Sequence, residues 1–298
     1  MTTYESFDVQ YRNLLERILT DGQEHETNKR DPKTGEELKA KKVFGHTLTF
    51  DLREQFPILT TKKMPVSKTK PENGFLFMSE LFWIWVMGSN TVQDLRDLGN
   101  NVWNEWETED GTIGLSYGYQ ARELYKWILD EDSDYPRTKK LDQVQSLIQN
   151  LQKNPFSRHH IVNLWNVEDL DEMALPPCAF MSIWDVTTDG YLNCNLIQRS
   201  ADVLLGLPFN VSQYAALVHM IAHVTGLKPG ILKHDITNAH LYSNHYEQAE
   251  MQMERKPLEV DVTVTINPDV TDFNDYKLTD ITFDGYKSHS PIKGRIAV

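Results

Sequence analysis

Apolar residues return at helical spacing between positions 6 and 20, where Phe7, Tyr11, Leu14, Leu15, Ile18 and Leu19 share one face and predict an amphipathic helix. Residues 21–42 lose that pattern. They are polar and rich in Lys and Glu, which predicts a loop. Thr47 to Leu52 alternates like a strand, and Lys62 to Asn73, lysine-rich and interrupted by Pro65 and Pro71, again reads as a loop. The most apolar stretch, 74–87, predicts a buried helix: it is too short to span a bilayer and carries Glu80 in its middle. Thr91 to Leu98 continues as helix, and the acidic, Pro-broken 128–138 as loop. Leu141 to Leu151 places Leu141, Val144, Leu147, Ile148 and Leu151 on one helical face. His160 to Trp165, Ala179 to Val186 and Tyr191 to Gln198 are strand candidates, the last two joined by a tight turn at 187–190. Val211 to Gly226 is the strongest helical pattern, with Gly226 as its stop. Leu258 to Ile266 alternates as a strand. Helices and strands mix without a regular βαβ rhythm, which predicts an α+β fold: one domain over residues 1–298, with a mixed sheet packed by helices.

Composition narrows the function. The chain has 298 residues, 30 Lys+Arg against 43 Asp+Glu, and a formal charge of −13. That balance argues against a general nucleic-acid surface, because phosphate neutralisation needs clustered cations. A small basic pocket for one phosphorylated ligand stays compatible with it. Two cysteines make no disulfide framework and no zinc pair, so reducing conditions and no metal are expected. The N-terminus has no basic region followed by an apolar one, so it is not a signal peptide, and a cytoplasmic, membrane-free protein is the expectation.

Four places carry candidate chemistry. In Leu175-Pro-Pro-Cys178 two prolines fix the backbone ahead of one cysteine. The ordinary reading is a buried, inert thiol. Against it stands Gln198-Arg-Ser-Ala-Asp202, just past a predicted strand end, since a guanidinium near a thiol favours the attacking thiolate. Cys194, inside an alternating strand, reads as structural. Glu80 is costly in an apolar helix unless it is paired or serves as a perturbed acid/base. His240 and Tyr242, two apart on a strand, offer with Asn210 donors and acceptors for a hydroxyl or a pyrimidine edge. Trp103 and Trp106 fit either the core or a stacking wall for a flat heterocycle.

Together, Leu175-Pro-Pro-Cys178, the run Gln198-Arg-Ser-Ala-Asp-Val-Leu-Leu-Gly-Leu-Pro-Phe-Asn210, His240-Leu-Tyr242 and Ile296-Ala-Val298 resemble thymidylate synthase, from about Val43 to the C-terminus. The resemblance implies reductive methylation of dUMP by 5,10-methylenetetrahydrofolate to dTMP and dihydrofolate. Cys178 would add to uracil C6, with Arg199 binding phosphate and lowering the thiol pKa. Gln198, Ser200, Asp202 and Asn210 would bind the nucleotide, and His240 and Tyr242 the ribose 3′-hydroxyl. Glu80 and Tyr117 would manage protons. Trp103, Trp106, Asp202, Leu205 and Gly206 would line the folate site, closed by the carboxylate of Val298. A sheet face would form a homodimer, with Arg158 reaching the partner's phosphate. Arg30, or else Lys33, would serve as an N-terminal phosphate contact.

Four features depart from the family pattern. His159 stands where a second arginine is usual, Ala179 replaces a histidine after the nucleophile, Thr237-Asn238 replaces Gly-Asp, and Val66 to Asn73 is an insertion. Losing one phosphate guanidinium costs about 1–3 kcal/mol, and a cationic His159 would make binding pH-dependent. Two other activities are weighed: a dUMP hydroxymethylase, in which water replaces hydride, and an inactive RNA-regulatory paralogue. Asn210 keeps the base as uracil under the first. The intact Cys178, Arg199, Asn210 and His240 and the acidic charge speak against the second and against any stable nucleic-acid partner.

Overall fold

The N-terminal apolar face winds into α1 (Phe7–Asp21), with Phe7, Tyr11, Leu14, Leu15 and Ile18 all buried. The structure, a computed structural model, describes residues 4–70, 74–128 and 137–297. Residues 71–73 of the insertion, most of the acidic 128–138 loop and the terminal Val298 therefore lie outside it. Helix α1 lies against β2 (Glu37–Asp51) of a six-stranded mixed sheet ordered β1-β2-β8-β7-β6-β5. Its other strands are β1 (Gln23–Arg30), β5 (Ile161–Asn163), β6 (Ala179–Val186), β7 (Tyr191–Asp202) and β8 (Lys228–Tyr242). Among the described residues two further antiparallel pairs form: β3 (Leu124–Ile128) with β4 (Arg137–Leu141), and β9 (Thr263–Ile266) with β10 (Ile281–Asp284).

Within the six-stranded sheet β7 and β8 run parallel and the other pairs antiparallel. Parallel neighbours need a crossover. Helix α5 (Leu207–Thr225) supplies it, apolar on nearly every side and stopped by Gly226 at φ +70°, the left-handed conformation glycine tolerates. The remaining helices are α2 (Leu76–Leu81), α3 (Val92–Asp97), α4 (Gln143–Lys153) and α6 (Tyr246–Met253). Helix α2 packs on α5 and widens into a π turn over Phe82–Val86, where Met87 N reaches back to Phe82 O at 2.8 Å.

Several elements differ from the sequence reading. Residues 21–42 are not a loop: β1 and the start of β2 lie there, held by ladder bonds and by Lys39 pairing across to Glu24 and Glu26 (3.6 and 3.2 Å), with only Leu38 and Ala40 as buried apolar residues. Hydrophobic periodicity has no purchase on such strands. Lys62, read as loop surface, is buried, because Asp8 pins the preceding turn by accepting from the N–H and hydroxyl groups of both Thr60 and Thr61 (2.7–3.1 Å). The 258–266 strand shrinks to Thr263–Ile266, and the flanks of the acidic loop are strands β3 and β4.

The burial rhythm of the central strands shifts where the site forms. Leu192, Cys194, Leu196 and Gln198 are buried in β7, then Ala201; Leu232, His234 and Ile236 in β8, then Ala239 and Leu241. The one-residue slips fall at Arg199–Ser200 and Thr237–Asn238, and Ser200 lies opposite Asn238.

Asp8→Ala leaves four buried donors without an acceptor, so it lowers the free energy of unfolding by about 3 kcal/mol in urea titrations. A loss below about 1 kcal/mol would show that the turn does not depend on this carboxylate.

Candidate active site

Cys178 is the last residue before β6, and its carbonyl accepts from Arg199 N (2.9 Å), continuing the β6–β7 ladder. The Arg199 side chain turns back on the same segment. Its Nε donates to Pro177 O (3.0 Å) and its Nη2 to Pro176 O (2.7 Å), while the guanidinium stacks over Trp165 at 5.4 Å. A guanidinium offers five donors in a fixed fork, and Nη1 has no partner among the described residues, so it stays available to an anion. The Cys178 N–H donates to the Tyr117 hydroxyl (2.7 Å). Burial pushes the Cys178 thiol up, against the downward pulls of Arg199 and Tyr117. The expected pull of the guanidinium is thus present, but burial outweighs it. Cys194, fully buried, is pushed far up by burial alone and is chemically silent.

A relay of neutral side chains runs behind the thiol. His234 is fully buried and pulled down to about 3 by burial, so it is a neutral imidazole. Its Nε2–H donates to Gln198 Oε1 (2.8 Å). Gln198 Nε2 then donates to Ser200 O (2.8 Å) and Asn210 Oδ1 (3.1 Å). This chain sets the Asn210 amide with its oxygen turned to Gln198 and its NH2 left for a ligand.

Glu80, near the end of α2, takes one donor on each oxygen: Trp103 Nε1 on Oε1 (2.6 Å) and Gln213 Nε2 on Oε2 (3.2 Å). Burial raises its carboxyl above the ordinary value despite both bonds. Trp103 packs edge-on against Trp106 (5.4 Å) and Tyr117 (5.6 Å), so Trp103 belongs to the core and Trp106 lies half-buried against it.

At the carboxyl ends of the parallel pair, Asp202 lies opposite His240. Its Oδ1 accepts from Leu204 N and Leu205 N (both 3.0 Å), closing the turn that leads through Gly206 into α5. Lys62 reaches that turn from the far side, its amine bonded to Leu204 O and pulled down to about 8 by burial. His240 contacts Ser200 Oγ at 3.5 Å and Tyr242 edge-on at 5.1 Å. Burial lowers His240 and pushes Tyr242 up to about 12.

The described tail docks on the same neighbourhood. Arg295 Nε donates to both Asp31 carboxylate oxygens (3.1 and 2.9 Å), and its carbonyl accepts from buried His245 (2.8 Å). Asp31 also caps Lys33 N and Thr34 N, and its carboxyl lies far below the usual range, chiefly through Arg295. Thus Cys178, Glu80, Tyr117, Arg199, Ser200, Asp202, Asn210, His240, Tyr242 and the two indoles belong to one neighbourhood, as does the Leu205–Gly206 turn. Arg30 does not stand free: it bonds Gly35 O and pairs with Glu37 on the surface, while Lys33 is exposed. Arg158 and His159 are exposed ahead of β5, without a side-chain hydrogen bond among the described residues. Val298 lies outside the described chain.

Sequence reading missed Gln213, His234, Lys62 and the Asp31–Arg295 pair. Gln213 had a signal, one helical turn beyond Asn210. The others depend on contacts distant in sequence.

The family model described as thymidylate synthase matches residues 9–298. Among solved structures, the thermostable thymidylate synthase A from Bacillus subtilis is 36% identical to this chain, with a TM-score of 0.86; the match covers 99% of this chain and 100% of that one.

Because burial raises the Glu80 carboxyl, the folded protein holds this proton more tightly than the unfolded chain. Its stabilisation is full below the ordinary value of 4.5 and is lost as pH rises through the folded value. Glu80→Gln therefore melts above the parent at about pH 7–8, and the gap closes toward about pH 4. A variant that melts lower at neutral pH would mean that the two donors more than offset the desolvation of the carboxylate.

Proposed function

The chain belongs to the thymidylate synthase family, folate-dependent methyltransferases that use 5,10-methylenetetrahydrofolate as co-substrate, and we propose that its Cys178 neighbourhood is where it converts dUMP to dTMP. The observation that carries the assignment is Cys178 sharing a ladder bond with Arg199, whose Nη1 keeps free donors. Uracil C5 is a weak nucleophile. When the thiol loses its proton and Sγ bonds to C6, the C5–C6 electron pair moves toward O4 and makes C5 an enolate carbon able to attack. Arg199 and Ser200 bind the phosphate. The Asn210 NH2 group meets a carbonyl at pyrimidine position 4 and offers nothing to an amino group there. His240 and Tyr242 hold the 3′-hydroxyl.

Folate supplies the one-carbon unit and then the hydride, leaving as dihydrofolate. Tyr117 assists removal of the C5 proton, and its phenol lies beside both Cys178 and Glu80, as their mutual electrostatics indicate. Loss of that proton breaks the bond between the transferred carbon and the folate nitrogen; once hydride reaches that carbon, the resulting C5 enolate expels Cys178 Sγ from C6, which restores the C5–C6 double bond and returns the thiolate. Glu80 serves proton transfer at the O4 side. Trp106, half-buried against Trp103, and Leu205, half-buried in the Asp202 turn, give a flat heterocycle an apolar seat. The tail tied by Arg295 shields it from water.

Phe44 is 85% exposed on β2, and Ile161 stays 44% exposed beside the half-buried Ile183, Ile197 and Ile231 of the sheet. Such an uncovered apolar face fits a second copy of the chain. Arg158 then extends into the partner's phosphate site, with His159 beside it. Among the described residues no helix is long and apolar enough to cross a membrane. A free nucleophilic thiol suits the reducing cytoplasm, where we place the enzyme.

Mixed with dUMP and methylenetetrahydrofolate, the protein yields dTMP with a rise in dihydrofolate absorbance, and Cys178→Ala lowers kcat at least about a thousandfold. Hydroxymethyl-dUMP with tetrahydrofolate would replace the reductive reading by the hydroxylating one. No product, with Cys178→Ala matching the parent, would end both.

Shared sites have their own signature. Arg158→Ala binds dUMP about tenfold or more weakly and Cys178→Ala is inactive; mixed at limiting dUMP and allowed to exchange subunits, they reach about a quarter of parental activity, because half of the pairs are mixed and each mixed pair has one intact site. Mixtures that stay at the level of Arg158→Ala alone although exchange is verified would confine Arg158 to its own subunit's site.

A further inference from the structure

We propose that Gln213 is a positioning residue that holds the Glu80 carboxylate in register with the pyrimidine reader Asn210. This rests on the reading of Glu80 and Asn210 given above and adds to it the part that ties them together.

Asn210 and Gln213 are three residues apart on α5, so they share one face of the helix. Gln213 is buried at 4% exposure. Its amide nitrogen meets α2 at two points one turn apart, Phe77 O at 3.4 Å and Glu80 Oε2 at 3.2 Å. A single amide thus fixes the carboxylate and the turn of backbone that precedes it. The other oxygen is held from a different segment by Trp103, the residue that leads into the short helical turn Asn104–Trp106. Both clamps are neutral, and no cation contributes to the ionisation of Glu80. The ionisable groups facing it are the phenol of Tyr117 and, one step further, Cys178 ahead of β6 and Tyr214 on α5.

Two consequences follow. Rotation of the carboxylate about its terminal torsion is soft, so losing one of two clamps lets it swing away from the pyrimidine. A hydrogen bond to a charged group favours that charged form. Removing the Gln213 donor therefore moves the Glu80 ionisation further up, in the same direction as burial. Gln213 itself needs no contact with the nucleotide.

The test is Gln213→Met, close in volume and without a donor. Its kcat falls about tenfold to a hundredfold at neutral pH, the loss expected for one hydrogen bond to a charged group. The limb of the kcat–pH profile governed by Glu80 moves to higher pH, while dUMP affinity changes by less than about twofold. The carboxyl titration of Glu80, read by 13C NMR of labelled protein without ligands, moves up in parallel. In the Glu80→Gln background Gln213→Met adds no further loss. Unchanged titration and pH profile, or additive losses in the double variant, would overturn the proposal. Should Gln213→Met fail to fold, Gln213→Glu keeps the shape: it places a second carboxylate against the first and splits the titration into two coupled steps. A single unperturbed step there overturns the proposal equally. If Glu80→Gln alone keeps full activity, the acid/base role of Glu80 falls, and the ligand-free titration still decides the clamp.

Discussion

The grip of Arg199 on the two proline carbonyls is the contact on which the site depends. Pro176 and Pro177 lack N–H groups and cannot join a ladder as donors. Their carbonyls at 2.7 and 3.0 Å instead face a guanidinium that the next strand delivers. Cys178 is therefore placed by backbone on both sides, by the ladder bond at its own carbonyl and by the arginine's hold on the two prolines just ahead of it. Only β7 ending where β6 begins allows this, and the slip in burial rhythm at Arg199–Ser200 leaves both side chains partly open to solvent.

Burial acts on the ionisable groups around this grip in one sense. It raises Cys178, Glu80, Tyr117 and Tyr242, and lowers Lys62, His234 and His240. Each shift favours the neutral form, as desolvation requires. The resting pocket is thus organised by neutral donors such as Gln198, Gln213 and Trp103, and Arg199 supplies its fixed positive charge. A formal charge of −13 therefore says little about which ligand binds: it sums over the whole chain, whereas Arg199 keeps donors unpartnered beside Cys178.

Much of this was legible in the chain. The helical faces of 6–20 and 211–226 and the turn at 187–190 follow from periodicity and from the backbone preferences of glycine. The Cys178 lead-in and the Gln198–Asn210 run pointed to residues that the fold brings together, because those residue types sit at fixed places along two adjoining elements. What periodicity could not show lies where apolar burial is not the driving force. The β1–β2 hairpin is held by ladder bonds and surface charge, so its charged strands mimic a loop. Lys62 is buried by a turn that Asp8 fixes from 52 positions away. Arg295 meets Asp31 across 264 positions, and no local pattern encodes such a pair.

The crossover helix explains why these separate parts act together. Parallel pairing of β7 and β8 requires a long connection, and the sheet provides it as α5, which starts at the Asp202 turn and ends before β8. Its first turns therefore lie beside the carboxyl ends of both strands, where Asp202 faces His240. From there Asn210 reaches Gln198, and Gln213 reaches Glu80 on α2. A rigid helix keeps those two contacts at a constant separation, which loops of equal reach would not. The same element that satisfies the topology of the sheet thus sets the distance between Asn210 and Glu80, the residues we propose to read the base and to move its proton.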